Sequence, residues 1–424
     1  MPLTRFLCDR SASVAPLLAL VTIPLLAFVG SAVDYSRAAS VRSSMQAALD
    51  STALMLSKNA HTLNEAQLQE QAVKLFSVNF TRPEAANPQV TVAYSATTAG
   101  YAVSVTGATS VQTQFMNIFG IPVINVSSTA KVKWSNSRLR VALVLDVTGS
   151  MSSSGKMTAL KTATHKLLDQ LQSVAKVDGD VYVSIIPFSK DVNVGPAYYE
   201  AAWIDWTDWE AVNGTCSKST YKSKTSCNNN GGIWTPKAHN TWNGCVTDRN
   251  QNFDTSNTAP TVGGTLFPAE QYSSCPTPLM PLSYDWAALH NKIDALAPAG
   301  NTNQGIGLVW GWQSLTGGPP LNAPALDPNY TYQQVIILLS DGLNTENRWY
   351  NSAAPIDARQ QITCTNAKAA GIVIYSVLVM SGNSTVLQNC ASDPNKYFAL
   401  TDANQIITTF QAIGTELTKL HLSH

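Results

Sequence analysis

The first pattern along this 424-residue chain is an apolar run without a charge, Val14 to Val33, reading VAPLLALVTIPLLAFVGSAV. At ~1.5 Å per helical residue such a run covers the ~30 Å of a hydrocarbon layer, so it predicts one membrane-spanning helix. Pro16 falls in the first turn, where a missing N–H costs little; Pro24 is central and predicts a kink near Ile23. The competing reading is a cleaved leader ending at Gly30-Ser31-Ala32, but the run is long for a leader and the segment after it is helical. From Asp34 to Lys58, DYSRAASVRSSMQAALDSTALMLSK repeats Ala, Val, Met and Leu at three- and four-residue spacing, the period of an amphipathic helix that continues outward.

The period then changes. Leu63 to Val78 predicts a second helix, ending before Arg82-Pro83, and Val90–Tyr94, Tyr101–Val105 and Val123–Val126 alternate as half-buried strands do. Residues 34–137 therefore predict a small α+β unit. From Arg138 on, near-continuous apolar runs alternate with helical patterns. The strands are the run ending at Asp146, Tyr182–Pro187, Val335–Leu339, Val373–Val379 and Tyr397–Leu400. The helices begin at Lys156 (with Leu160, Ala163, Leu167, Leu168 and Leu171 on one face), Trp286, Ile356, Ser384 and Asn404. This alternation predicts an α/β domain over 138–424, a doubly wound, mostly parallel sheet with helices on both faces. A stretch at about 190–283 has neither period and reads as an insertion.

Composition narrows the partners. The 27 basic and 27 acidic residues cancel, with no Lys/Arg block to neutralise a phosphate backbone, so nucleic acid is not an expected partner. Of seven cysteines, Cys8 precedes the apolar run, while Cys216, Cys227, Cys245, Cys275, Cys364 and Cys390 follow it. Four of these lie in the aperiodic insertion, where cross-links would replace a core; such cross-links persist only in an oxidising compartment. Six reduced thiols are the plainer alternative. Arg5 and Arg10 on one side balance Arg37 and Arg42 on the other, so the cysteines decide the orientation: residues 1–13 form a cytoplasmic tail, and all beyond Val33 lies outside the cytoplasm. Of the three pairings open to the insertion, Cys216–Cys227 with Cys245–Cys275 is favoured; Cys364 and Cys390, on successive helices, form a third candidate bridge. The tryptophans of the insertion are read either as a partner surface or as a satellite core.

The candidate chemistry sits at strand ends. RLRVALVLDVTGSM delivers Asp146, Thr148 and Ser150 at the C-terminal end of an apolar strand. One carboxylate and two hydroxyls there suit a hard cation such as Mg²⁺, Mn²⁺ or Ca²⁺ rather than Zn²⁺. Alone, the plainer reading is that Asp and Ser cap the next helix. But Val335–Leu339 also ends in a carboxylate, Asp341, and between the two lies the Gly-rich loop Pro298 to Leu308 with Thr302.

These three segments resemble the metal-ion-dependent adhesion site (MIDAS) of von Willebrand factor A (vWA) domains, in which a D-x-S/T-x-S loop, a Thr and a second Asp surround one cation. The resemblance implies that Thr148, Ser150 and Thr302 ligate through hydroxyls and that Asp146 and Asp341 bind mostly through water, leaving one position for an acidic side chain of a protein partner. It implies Mg²⁺ first, with Mn²⁺ or Ca²⁺ as alternatives. The N-terminal LVTIPLLAFVGSAVDYSRAASVRSSMQAALDSTAL, followed by VALVLDVTGSM, resembles the TadG-like proteins of Flp (tight-adherence) pilus systems. That resemblance implies an inner-membrane helix, a periplasmic or surface-exposed A domain, and partners among pilin-like or other Tad components. The expectation is a non-enzymatic, metal-dependent binding protein. Its rivals are a structural anchor with a non-functional metal site and a metal-assisted hydrolase, for which the motifs supply no general base.

Overall fold

The computed structural model describes residues 14–60, 63–97, 100–134, 137–328 and 330–422. The expected cytoplasmic tail and Cys8 lie outside the described residues. The chain forms two compact units, Met1–Asn136 and Ser137–His424.

In the first unit a single helix, α1 (Val14–Ser57), runs through Pro24. Its C-terminal half buries Ala38, Val41, Met45, Ala48, Leu49, Ala53 and Leu56, the one-sided spacing read from the sequence. Helix α2 (Glu65–Asn79) starts at Asn64, whose side chain accepts from the Gln67 N–H while Gln67 reaches back to the Asn64 N–H, a capping box. Strands β1 (Ala85–Thr97), β2 (Gly100–Gln112) and β3 (Val123–Trp134) form an antiparallel meander. They are longer than their hydrophobic alternation suggests, because Thr and Ser fill the outer face. Both helices pack on the inner face, over Val90, Val103, Val105, Val111 and Val126. Gly107 lets α1 approach: a Cβ there would sit 3.1 Å from Met45 Sδ and 3.2 Å from Leu49.

Toward its start α1 exposes Leu17, Leu18, Leu20, Val21, Ile23, Leu25, Leu26, Phe28 and Val29. Among the described residues no helix is long and apolar enough to cross a membrane; the side chains of Val14–Pro16 and Ala19, which open the predicted span, are outside the described set.

The second unit opens with β4 (Ser137–Asp146), α3 (Lys156–Val174) and β5 (Val181–Phe188). Short strands follow: β6 (Val192–Asn193), β7 (Ile204–Asp205), β8 (Gly214–Cys216), β9 (Trp234–Pro236), β10 (Cys245–Val246), β11 (Phe267–Glu270) and β12 (Met280–Ser283). Two short helices, α4 (Thr207–Val212) and α5 (Lys224–Asn229), lie among them. The α/β alternation resumes with α6 (Trp286–Asp294), α7 (Gln304–Leu315), β13 (Thr331–Ser340), α8 (Ala353–Ala369), β14 (Val373–Val379), α9 (Ser384–Cys390), β15 (Tyr397–Leu400) and α10 (Gln405–Leu422).

The central sheet runs β15-β14-β13-β4-β5-β6-β10-β11-β7, with β12 beside β5. β15, β14, β13, β4 and β5 are mutually parallel. One face packs against α3, α6 and α10, the other against α7, α8 and α9, the doubly wound arrangement expected from the alternation. Residues 141–146 of β4 are fully buried, as a central parallel strand covered on both faces must be. Each such aliphatic side chain contributes ~1.5–3 kcal/mol relative to exposure.

The insertion extends the sheet: β6, β10 and β11 add an antiparallel edge, a feature two- to four-residue strands do not announce in sequence. Its buried tryptophans join the core on one face of the central sheet rather than forming a separate one. Trp203, Trp209 and Trp242 are buried, and Trp203 and Phe267 meet Trp310 of α7 with ring centroids 6.0 and 4.4 Å away. Disulfides join Cys216–Cys227, Cys245–Cys275 and Cys364–Cys390, the favoured pairing.

Candidate metal centre

Parallel strands in register place their C-terminal ends side by side. Leu339 of β13 pairs with Leu145 of β4, so Ser340 is level with Asp146 and Asp341 begins the loop above. The turn after β4 then lies next to that loop, at the strand ends where α/β sheets bind ligands.

Asp146 is fully buried. Its Oδ1 accepts from the Thr148 N–H (2.9 Å) and hydroxyl (2.6 Å), and its Oδ2 from the Ser340 hydroxyl (2.5 Å). The Thr148 and Ser150 hydroxyl oxygens are 3.0 Å apart. Ser150 donates to Asp341 Oδ1 at 2.5 Å, while Lys156 Nζ, from the first turn of α3, donates to Asp341 Oδ2 at 2.6 Å. Burial, together with the nearby charge of Asp341, raises the Asp146 carboxyl from 3.8 to about 6 against the lowering effect of its Ser340 and Thr148 hydrogen bonds.

Thr302 arrives from the third loop. Gly149 N–H donates to the Gly300 carbonyl (3.0 Å) and Ala299 N–H to that of Val147 (2.7 Å), tying this loop to the first. Gly300 has φ +85°, and a Cβ would stand 2.7 Å from the Tyr272 hydroxyl, which itself accepts from the Asn301 N–H. Thr302 N–H donates to the Thr345 hydroxyl (2.8 Å) and its carbonyl accepts from Thr345 N–H (2.9 Å), tying it to the Asp341 loop. Behind that loop a buried amide network holds position: Asn344 donates to Asp357 and Gln360, and Gln304 donates to the Gly342 carbonyl. The five residues singled out from sequence thus come from three loops that are hydrogen-bonded to one another.

The donor set fits a hard cation. It consists of oxygens only, and two adjacent corners of an octahedron with ~2.1 Å bonds lie about 3 Å apart, as the Thr148 and Ser150 hydroxyls do. Asp146, Thr148 and Asp341 are buried and Ser150 is exposed, so the cluster opens to solvent on one side. Among the described residues no group of three or more His, Cys, Asp or Glu is placed to hold a metal ion.

Two participants carry little signal in the sequence. Ser340 stands beside Asp341 with no motif of its own. Lys156 marks a helix start, where a cation opposes the helix dipole and so signals a tertiary partner. The insertion also brings a buried acidic group close by. Asn303, next to Thr302, donates to Asp248 Oδ2 (2.9 Å). Lys190 pairs with Glu270 and, at 3.7 Å, with Glu346. Asp191 is fully buried, and burial with the charges of Glu270 and Asp248 holds it well above the ordinary carboxylate range against the lowering effect of Lys190 and the Thr247 hydroxyl.

Sheet order and loop geometry define the class: a doubly wound, mostly parallel α/β domain with a hydroxyl–carboxylate cluster at its strand ends. Residues 12–55, which supply most of α1, match the family model of putative Flp pilus-assembly TadE/G-like proteins. No curated protein matches the chain. Solved structures with weak likeness include the pilus adhesin SpaC from Lactobacillus rhamnosus GG, at 15% identity and TM-score 0.38 over 81% of this chain and 36% of that one. The vWF domain of the type V pili tip protein Mfa5 from Porphyromonas gingivalis matches at 11% identity and TM-score 0.39, over 66% of this chain and 95% of that one. Proximal thread matrix protein 1 from the mussel byssus, with a zinc-occupied MIDAS motif, matches at 13% identity and TM-score 0.34, over 67% and 46%. The chain thus spans less than half of the mussel protein and of SpaC.

Proposed function

We propose that this chain is a membrane-anchored component of a bacterial Flp/Tad pilus assembly or adhesion system that binds a protein partner through a divalent cation, without catalysing a reaction. What supports the reading is that the three loops carrying Asp146, Thr148 and Ser150, Thr302, and Asp341 are hydrogen-bonded to one another at one end of the sheet. Thr148, Ser150 and Thr302 would ligate through hydroxyl oxygens; Asp146 and Asp341 would act mostly through water. Such a site leaves the cation under-neutralised, so an Asp or Glu of the partner gains a charge-assisted contact. Mg²⁺ suits the all-oxygen set best, with Mn²⁺ or Ca²⁺ as alternatives. The TadE/G-like match over residues 12–55 and the exposed apolar side chains of α1 support an inner-membrane anchor, and the three disulfides support a periplasmic or surface location for the rest.

A second reading, a structural anchor with a non-functional metal site, is favoured by one observation: Lys156 already supplies positive charge to Asp341. Thermal unfolding of the Ser137–His424 unit separates the two. With Mg²⁺, Mn²⁺ or Ca²⁺ titrated against EDTA, the binding reading expects a cation-dependent rise in midpoint that Asp146→Ala abolishes. Superimposable curves would leave the structural anchor.

A further inference from the structure

The loop between β2 and β3 carries an apolar cluster that the binding function does not use. Ile118 is 78% exposed and Phe119 55%, with Phe115 and Ile121 also open. This loop lies against α1: Met116, Phe119 and Ile121 line a cavity together with Ile23, Pro24, Ala27 and Ser31. Gly30 permits the approach, since a Cβ there would fall 2.5 Å from that of Phe115. At ~1.5 Å rise per residue, Ala27 lies on the order of 10 Å down the helix from Asp34, inside the uncharged run. Between Glu84 and Lys131 the chain has no charged residue.

Most of the loop's backbone N–H groups also have partners within the protein. The Asp34 carboxylate accepts from the N–H groups of Gln114 (3.0 Å), Phe115 (2.8 Å) and Met116 (2.8 Å). Thr113 N–H donates to Pro122, Ile118 to Phe115, Gly120 to Asn117 and Ile121 to Met116. The Thr113 hydroxyl donates to the Ile121 carbonyl at 2.5 Å. Irregular backbone beside lipid must have its polar groups satisfied internally, and these bonds meet that demand for most of the loop's N–H groups.

We propose that the Phe115–Ile121 loop is a second membrane-seated element, inserted into the outer part of the bilayer beside α1 and latched to it by Asp34. This rests on the reading of α1 as a membrane anchor. If Ile23–Ser31 lie in hydrocarbon, the side chains packed beside them lie there too. The apolar tip then faces acyl chains, at the ~5–10 Å depth typical of interfacial elements, and the latch fixes the rotation of the unit about its anchor.

The test uses the full chain with Cys8→Ser, reconstituted in phosphatidylethanolamine/phosphatidylglycerol vesicles containing nitroxide-labelled lipids. An environment-sensitive fluorophore is placed singly at Ile118→Cys, at Leu20→Cys on the helix, or at Thr106→Cys on the outer sheet face. Quenching at Ile118 and Leu20 with a water-like signal at Thr106 is the expected result. Quenching at Leu20 alone overturns the loop proposal and leaves the anchor standing. An apolar but lipid-insensitive signal at Ile118 also overturns it, in favour of a protein covering the loop. No quenching at either position removes the anchor and the loop together. Asp34→Asn should reduce quenching at Ile118 without changing it at Leu20, a split that a purely structural Asp34 would not produce.

Discussion

Lys156 Nζ lies 2.6 Å from Asp341 Oδ2 in a pair almost wholly removed from solvent. Removing one member of a buried ion pair strands the other charge, at a cost of ~3–5 kcal/mol. Yet this ammonium sits beside oxygens that would serve a divalent cation, so it holds the cation-free site together while opposing metal entry. Lys156→Met should therefore lower the unfolding midpoint in EDTA and enlarge the stabilisation that saturating Mg²⁺ restores. Paired melting curves check both effects. A lower midpoint that Mg²⁺ leaves unchanged would make Lys156 a structural counter-ion and nothing more.

The protonation of Asp146 gives a pH prediction. Its folded value of about 6 lies above the ordinary 3.8. Between those values the folded chain holds a proton that the unfolded chain has lost, so cation-free stability falls as pH rises through this window and then levels. A cation needs the ionised carboxylate and competes with the proton below about pH 6. In EDTA the midpoint should decline from pH 5 to pH 7.5, whereas the gain from Mg²⁺ should grow over the same range. Equal Mg²⁺ gains at both pH values would exclude Asp146 from the site.

The parts of this fold legible in sequence are those where one physical signal dominates. Val373–Val379 is read to the residue because a buried parallel strand is a near-continuous apolar run, and Tyr397–Leu400, a half-exposed edge strand, because its four apolar residues stand between polar stretches. The three site loops are legible because each ends such a run or follows a Gly-rich turn. Lys156 and Ser340 act across 185 and 194 residues of sequence, and their partners depend on which strands become neighbours. The edge strands β6 and β10 are two residues long, shorter than any period can register.

Helix α7 lies close on the sheet at Gly311, where a Cβ would fall 2.5 Å from Val144 Cγ2. Val144 belongs to β4, two residues before Asp146, so relief of the clash must move either the helix or the strand that positions the site. Gly311→Ala should destabilise the domain by ~1–3 kcal/mol through overpacking, despite the better helix propensity of Ala. Denaturant unfolding measures this; unchanged or greater stability would show that α7 can shift freely.

The Cys364–Cys390 bridge closes 26 residues between α8 and α9. By chain entropy, a loop of that length contributes about 3 kcal/mol by restricting the unfolded chain. Cys364→Ala with Cys390→Ala should cost that much in denaturant unfolding and leave the Mg²⁺-dependent rise in midpoint intact, because the Asp341 loop is held by Asn344, Gln304 and Gln360. Loss of the Mg²⁺ effect would mean that the bridge also positions the site.

Asp191 gives the opposite sign. Its carboxylate is fully buried, and burial with the charges of Glu270 and Asp248 opposes its ionisation more than Lys190 and the Thr247 hydroxyl favour it. A group held well above its ordinary value costs stability once the pH exceeds the unfolded value, and the cost grows until the folded value is reached. Asp191→Asn keeps the shape and deletes the charge. At pH 7.5 it should raise the unfolding midpoint, at roughly 2–4 °C per kcal/mol for a domain of this class, and the gain should shrink toward pH 4, where wild-type Asp191 is protonated in the folded state. A lower midpoint for the variant at pH 7.5 would mean that the ionised carboxylate is needed where it stands.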